Sequence, residues 1–367
     1  MKTQLSSLEL HYIVKELQML INGRIDNIYQ PDKKELILQF HIPNLGKKML
    51  KIIVPNLIFL ASVRDFTETP PGFCMFLRKY LSNARVRHIR QLESERIVEV
   101  MFEAKESKYY LIFELFSKGN IVMCKEDYTI FNLIEQQSWK DREVKKGVKY
   151  QYPRKGYNLF ELKLDDLRQV ISNSTRDSIV KTLAIDLGLG GIYAEESLLL
   201  SNIDKTKSKL DDSELKNLYD SIKSLVNMKI EPKLIKDKDT LVDIVPFDLV
   251  YYKGLSKEPR NTYNEALDEL SALKLDDNTI RFNKKLESLK IIIADQETTI
   301  KKYEEEQKLN NQKGQLIYEK YQLMSKILAE LKKAREKLSW QEIKEKLKGH
   351  NIIKEVNEKE GKVVVEV

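Results

Sequence analysis

Cationic residues crowd one short run of this sequence. Between Arg78 and Arg90 stand Arg78, Lys79, Arg85, Arg87 and Arg90, with His88, and no acid. Guanidinium and ammonium groups at that density suit phosphate oxygens, which makes the run a candidate contact for a nucleic-acid backbone. The plainer reading puts half of them on the solvent face of an ordinary strand. Just beyond, Glu95-Arg96 opens another strand pattern, in which the two-residue period sets Arg96 on one face with Val98, Val100 and Phe102 and turns Glu95 to the other. A guanidinium heading an apolar row either snorkels at the rim or meets an anion or a carboxylate. Ser6-x-x-Glu9 fits a capping box, whose carboxylate satisfies a backbone N–H at a helix start. Gly188-Leu189-Gly190-Gly191 falls between two helical patterns and so lacks the strand context of a dinucleotide-binding loop. It reads as a hairpin whose free N–H groups can hold a phosphate at a helix N-terminus, or as a tight turn that needs positive φ.

Other chemistry has no foothold. The sequence contains no nucleophile elbow, no Gly-rich loop followed by Lys and Ser or Thr, and no framed carboxylate pair, so catalytic residues and cofactors are not expected. His11, His41, His88 and His350 lie far apart without Cys or His at ligand spacing, and no metal site is expected. Cys74 and Cys124 sit among Phe, Met, Ile and Val, as buried hydrophobes do in a reducing compartment.

The elements that must position these residues follow from periodicity. With 42% hydrophobic and 32% charged residues among 367, and only 13 Gly and 9 Pro, the chain has the composition of two or three folded domains. Its net charge of +7 permits a polyanionic partner. No apolar run suits a membrane span, and the start lacks the features of a secretory signal, so a cytoplasmic protein without a membrane partner is expected. From Ser7, the residues Leu10, Ile13, Val14, Leu17, Leu20 and Ile21 repeat at helical spacing up to Asn22-Gly23. Four strands follow, over Arg24–Tyr29, Glu35–Ile42, Lys48–Val54 and Leu57–Val63, broken by Pro31, Pro43 and Pro55. Pro70-Pro71 opens a short helix, FCMFLRKYL, before four more strands at Arg85–Leu92, Arg96–Phe102, Tyr109–Phe116 and Ile121–Lys125. The expected fold class is therefore α+β and multidomain, with a two-sheet N-terminal β domain over residues 1–172.

Helical runs DDLRQVI, DSIVKTLAIDLG and IYAEESLLL then lead into a helical module at 173–228, and a return segment at 229–277 carries one expected strand, LVDIVPFDLVYYK. From Thr279 to Lys348 there is no proline, and Phe282, Leu286, Leu289, Ile293, Ile300 and Tyr303 recur at coiled-coil spacing. A projecting coiled-coil arm is expected at 278–346, with a break at Asn310–Gly314, where the pattern loosens. The arm's Tyr303, Tyr318, Tyr321 and Trp340 suit packing or base stacking. Residues 347–367 close on KVVVEV, a strand without a later strand to pair with.

In order along nearly the whole chain, several blocks resemble a known family: SSLELHYIVKEL with GRIDNIYQ, then PPGFCMFLRKYL, NARVRHIRQ and SERIVEV, then ELFSKGNIVMC, LGLGGIYAEESLL, PFDLVYYK with NEALDEL, and KGQLIYEKYQ with SWQEI. This is similar to the NFACT family of ribosome quality-control factors, called NEMF in animals and RqcH in bacteria and archaea. The resemblance implies a glycosylase-like N-terminal domain, a helix-hairpin-helix domain and a coiled coil bearing a middle domain. It implies binding to large ribosomal subunits obstructed by peptidyl-tRNA, and recruitment of tRNA so that C-terminal tails are added to the stalled nascent chain. The family's tRNA-reading Asp and Asp-Arg pair fall on Glu9, Glu95 and Arg96. The arginine matches, while both acids here are Glu, one methylene longer. Glycosylase relatives need an N-terminal proline amine, and Met1-Lys2-Thr3 stands here instead, so base excision is not expected. Family members continue into a returning helix and an NFACT-R domain. The arm is accordingly expected to lack its antiparallel partner, and this stretch alone is not expected to synthesise tails.

Together these readings make a non-enzymatic RNA-binding factor, without a DNA partner, the leading expectation. Phosphate contacts are expected from Arg78, Lys79, Arg85, Arg87, Arg90, Gly188, Gly190 and Gly191. The rivals are a glycosylase-like nucleic-acid enzyme and a protein-binding scaffold or adhesin.

Overall fold

The computed structural model describes residues 2–62, 69–105, 107–153, 156–357 and 361–366, and only the backbone of 271–288 and of 291 within its longest helix. Two compact units divide the chain, residues 1–276 and 277–367.

The first unit opens with α1 (Ser7–Leu17), which begins at the expected capping box: Glu9 N donates to Ser6 Oγ at 3.2 Å and Ser6 N to Glu9 Oε2 at 2.8 Å. A 3₁₀ turn (Gln18–Leu20) ends it ahead of Asn22, whose φ of 67° reverses the chain. Strands β1 (Arg24–Asp32), β2 (Glu35–Ile42), β3 (Gly46–Ile53) and β4 (Leu57–Ala61) form an antiparallel meander, followed by α2 (Gly72–Leu81). A second meander comprises β5 (Arg85–Gln91), β6 (Ile97–Ala104), β7 (Ser107–Glu114), β8 (Asn120–Lys125) and β9 (Ile130–Leu133).

The two expected sheets are one. The strands run β4-β3-β2-β1-β5-β6-β7-β8-β9, joined at a narrow seam where Arg24 alone pairs with Arg85. Bonds from Asn22 N to Val86 O (2.8 Å) and from Ile25 N to Ala84 O (2.9 Å) extend it. The proline-led excursion through α2 looks like a sheet boundary in sequence, yet the chain returns beside the start of β1.

A small hairpin, β10 (Gln137–Trp139) and β11 (Arg142–Val144), precedes the helices α3 (Leu164–Asn173), α4 (Ile179–Lys181), α5 (Gly191–Leu200) and α6 (Asp212–Val226). The run DSIVKTLAIDLG is a single α turn that passes into a π turn, Thr182–Asp186, instead of a regular helix. The return segment holds three strands where one was expected, β12 (Lys233–Asp237), β13 (Thr240–Val245) and β14 (Ser256–Pro259), in the order β13-β12-β14. LVDIVPFDLVYYK stays extended only to Val245, because Pro246 has no N–H to continue a ladder, and Val250–Tyr252 make a 3₁₀ turn.

One hydrophobic core runs through the segments 1–172, 173–228 and 229–277. It includes Ile13 and Leu17 of α1, Val98, Val100 and Phe102 of β6, Tyr193 and Leu198 of α5, Leu218 and Ile222 of α6, and Ile244 of β13. A second core on the opposite face of β6 gathers Ile97, Ile112, Val122, Cys124, Val144 and Tyr150. Both cysteines are buried and unbridged, and burial pushes the Cys124 thiol up to about 12.

The longest helix, α7 (Tyr263–Glu319), starts in the first unit and passes unbroken through Asn310–Gly314. The break comes later than expected, at Lys320, before α8 (Tyr321–Arg335) and α9 (Trp340–Lys346). Asn and Gly lower helix propensity by at most about 1 kcal/mol each, too little by themselves to end a helix. Leu289, Ile293, Ile300 and Tyr303 are each about half exposed or more, whereas Phe282 and Leu286 lie outside the described residues. In the second unit, β15 (Ile353–Asn357) and β16 (Lys362–Val365) form an antiparallel hairpin, so the last strand pairs with its predecessor. Ile327, Ile353 and Val356 centre a small core against Trp340. No helix among the described residues is long and apolar enough to cross a membrane.

Candidate nucleic-acid interface

A cleft of about 730 Å³ in the first unit is lined by Gln4, Glu9, Glu95, Arg96, Tyr193, Asp243 and the loop Gly188–Gly191, among others. The structure thus brings together Glu9, Glu95, Arg96, Gly188, Gly190 and Gly191, which are distant in sequence.

Arg96 precedes β6, and its carbonyl is fixed by Leu115 N at 2.7 Å. Val98, Val100 and Phe102 beyond it are buried, so the guanidinium stands at the rim of the apolar row, as its face predicts. Its Nη1 donates to Gln4 Oε1 at 3.1 Å and to Leu5 O at 3.4 Å. Both acceptors are neutral, and Nε and Nη2 have no hydrogen bond among the described residues. Burial draws the Arg96 pKa below its ordinary value and the adjacent Glu95 opposes that shift; the group stays charged. The half-buried Glu95 follows the turn Leu92–Glu95, closed by Glu95 N to Leu92 O at 2.9 Å.

Glu9 lies deeper, 2% exposed. Its Oε1 accepts from Lys2 Nζ at 2.5 Å and Tyr193 OH at 2.9 Å, while Oε2 closes the capping box. Lys2 Nζ also donates to Asp243 Oδ1 at 2.9 Å, and Tyr252 OH donates to Asp243 Oδ2 at 2.6 Å. Burial alone would lower the Lys2 pKa, but Glu9 and Asp243 outweigh it and raise the value. The Tyr193 phenol is held well above its ordinary pKa by burial and then by Glu9, and Tyr252 is raised by burial and by Asp243.

The glycine loop supplies the third wall. Gly188 and Gly190 have φ of 77° and 85°, so the turn itself requires glycine there. A Cβ at Gly190 would stand 3.4 Å from that of Ser6, which places the loop against the start of α1. Gly190 caps α5 without a side-chain hydrogen bond and no acid stands in its first turn, so the positive end of α5 opens on the cleft, whereas α1 has Ser6 as its cap and Glu9 in its first turn. A polyanion finds amide donors and a guanidinium within one cavity.

The run from Arg78 to Arg90 lies elsewhere, and none of its cations lines the cleft. Arg90 Nε meets Glu99 Oε1 at 2.8 Å, and Arg87 Nε meets Glu103 Oε2 at 2.6 Å. Arg78 donates to Ile28 O at 2.8 Å, and Lys79 sits over the Tyr80 ring at 5.4 Å. Arg85 and Lys79 form no ion pair among the described residues. The acids that complement this run come from β6, paired across the ladder, and a linear scan does not see them.

Sequence reasoning missed Lys2, Gln4, Tyr193 and Asp243. Asp243 had a signal: an acid inside the apolar strand LVDIV must find a partner once it is buried. Among the described residues no cluster of His, Cys, Asp and Glu suits a metal ion.

Comparison with known proteins agrees with this architecture. The family model "NFACT N-terminal and middle domains" matches residues 6–362. The archaeal Rqc2 homolog aRqcH of Methanocaldococcus jannaschii is 32% identical over 390 residues, covering 100% of this chain and 58% of that protein. Human "Ribosome quality control complex subunit NEMF" is 24% identical over 380 residues, covering 94% of this chain and 35% of that protein. The chain therefore spans little more than half the length of the archaeal relative and about a third of the human one. Among solved structures, the N-terminal part of the fibronectin/fibrinogen-binding protein of Streptococcus suis superposes with a TM-score of 0.59 at 22% identity, covering 73% of this chain and 99% of that one. The fibrinogen-binding protein of Staphylococcus aureus gives 0.61 at 20% identity, covering 72% of this chain and 98% of that one. These last two show a shared fold. With the family model matched over almost its entire length, the chain belongs to the NFACT family.

Proposed function

We propose that this chain is a cytoplasmic RNA-binding factor of ribosome quality control. On this reading it binds large ribosomal subunits obstructed by peptidyl-tRNA and recruits tRNA for C-terminal tailing of the stalled nascent chain. Peptide-bond formation belongs to the ribosome, and the chain itself is not an enzyme. The observation that carries the proposal is the cleft, which is lined both by a guanidinium whose acceptors among the described residues are neutral and by the uncapped start of α5. The Leu189 and Gly190 amides already donate to Leu183 O and Ala184 O, so phosphate oxygens fit the N–H groups at the start of α5, Gly191 and Ile192, and the Glu95 carboxylate and Arg96 guanidinium fit base edges. The module 173–228 serves as the helix-hairpin-helix domain, and the long helix as the arm that reaches the subunit surface. Away from the cleft, Lys79 and Arg85, which form no ion pair among the described residues, are the cations of the basic run left to add phosphate contacts, with Arg78, Arg87 and Arg90 already engaged. A glycosylase-like reaction is disfavoured because Lys2, which lines the cleft, is a buried ammonium held between two carboxylates.

Binding of labelled bulk tRNA tests the proposal. Arg96→Ala weakens affinity by about 1–3 kcal/mol if the contact is bidentate to a base. Glu95→Gln keeps shape and removes charge, so in a protein that still folds it changes discrimination among tRNAs. Unchanged affinity in a folded Arg96→Ala protein removes Arg96 from the site.

A further inference from the structure

Lys2, Glu9 and Asp243 bury three charges where an apolar trio would fold at no greater cost. Their side chains are 4%, 3% and 6% exposed, and the ammonium is shared between carboxylates of α1 and β13. What the ions accomplish beyond burial is visible in the chain that leaves Lys2. Two residues on, the Gln4 amide oxygen receives the Arg96 guanidinium, and the next carbonyl, that of Leu5, receives the same Nη1. Leu5 is pinned in turn: it is buried, and its N–H donates to Asn56 O at 2.9 Å. Thr3 and Gln4 are exposed and hang between those two anchors. If the anchor at Lys2 is removed, Gln4 is held from the Leu5 side alone.

We propose that the Lys2–Glu9–Asp243 triad is a positioning device for Arg96, fixing the run Thr3–Leu5 so that Gln4 and Leu5 aim the guanidinium into the cleft. Glu9 then acts on RNA recognition through Lys2, without touching RNA, since Lys2, Tyr193 and the Ser6 amide already occupy its oxygens. The same charges bind α5 to the site, because Tyr193 on Glu9 holds the helix whose N-terminus forms the facing wall. This inference rests on the reading of Arg96 as the RNA-facing group.

A triad that merely holds the fold together and one that aims Arg96 differ in their coupling. Affinity for labelled bulk tRNA is measured for the unaltered chain, Lys2→Met, Arg96→Ala and the double variant, all below their unfolding temperatures. Positioning predicts that Lys2→Met weakens binding about fivefold to tenfold, and that in the Arg96→Ala background it adds nothing. Lys2→Met leaves two carboxylates facing each other, so Lys2→Met with Glu9→Gln and Asp243→Asn provides a neutral version without buried unpaired charge. The same loss is expected from it. A second readout needs no RNA: ¹⁵N relaxation of the Arg96 Nε–Hε group, with Arg142 as internal reference. Positioning predicts that Arg96 Nε becomes disordered in the triad variants while Arg142 Nε does not. Folded variants that bind tRNA normally, losses that multiply with that of Arg96→Ala, or an unchanged Arg96 Nε would each overturn the inference. If Arg96→Ala itself leaves tRNA binding intact, the functional reading of Arg96 falls, and the relaxation data alone decide whether the triad orders it.

Discussion

Arg90 in β5 and Arg96 just before β6 lie on neighbouring segments of the same sheet and meet opposite fates. Arg90 lies against Glu99, a carboxylate 1% exposed that also accepts from Tyr128 and Tyr152. Arg96 rests on an amide oxygen and a carbonyl, with the adjacent Glu95 opposing the loss of its charge. The first guanidinium is absorbed into the architecture and the second is left to attract. Density of positive charge along a sequence therefore does not tell which cations are neutralised in the fold, whereas the partner each one finds does.

That contrast can be broken from either side. The largest effect falls on the absorbed side: Glu99→Ala leaves Arg90 and two tyrosine hydroxyls without their acceptor and lowers stability by about 3 kcal/mol in denaturant titration. Its tRNA affinity is unchanged once the protein is folded. Gly190→Ala acts on the cleft wall, where an L side chain at positive φ costs about 1–2 kcal/mol of stability. Filter binding should show weaker tRNA retention as well, because the open N–H groups at the start of α5 shift.

The triad makes its own pH signature. Lys2 has a raised pKa in the folded state, so its stabilisation is complete below the ordinary lysine pKa and is lost as pH rises through the folded value. The raised phenols of Tyr193 and Tyr252 work in the same direction, above the ordinary tyrosine pKa. Thermal melts are expected to show a steep alkaline decline, with the Lys2 contribution missing in Lys2→Met; equal slopes in both proteins would contradict the ion network. The smallest effect is that of Glu103→Ala, which unpairs a solvent-exposed Arg87 and changes stability by no more than about 0.5 kcal/mol. If it raises tRNA affinity, β5 is part of the binding surface after all.

Much of the frame was legible because local periodicity carries it. The capping box at Ser6 and Glu9, the two meanders and the face of Arg96 all follow from spacing within a few residues. The joining of the meanders into one sheet was not legible, because a single ladder pair between Arg24 and Arg85 decides it. The break in the long helix was misplaced for a related reason: Asn310–Gly314 weakens the apolar pattern without ending the helix. The cleft was half legible. Arg96 and the glycine loop stood out as oddities of type and context, whereas the partners that define them, Gln4 and Lys2 on one side and Asp243 on the other, are separated by almost the whole first unit.

The most direct measurement is sequencing of RNA crosslinked in cells to the unaltered chain, to Arg96→Ala and to Arg90→Ala. The account predicts large-subunit RNA together with tRNA for the unaltered chain, loss of the tRNA in Arg96→Ala, and its retention in Arg90→Ala. Background RNA in all three samples, or equal loss of tRNA in both variants, would contradict it.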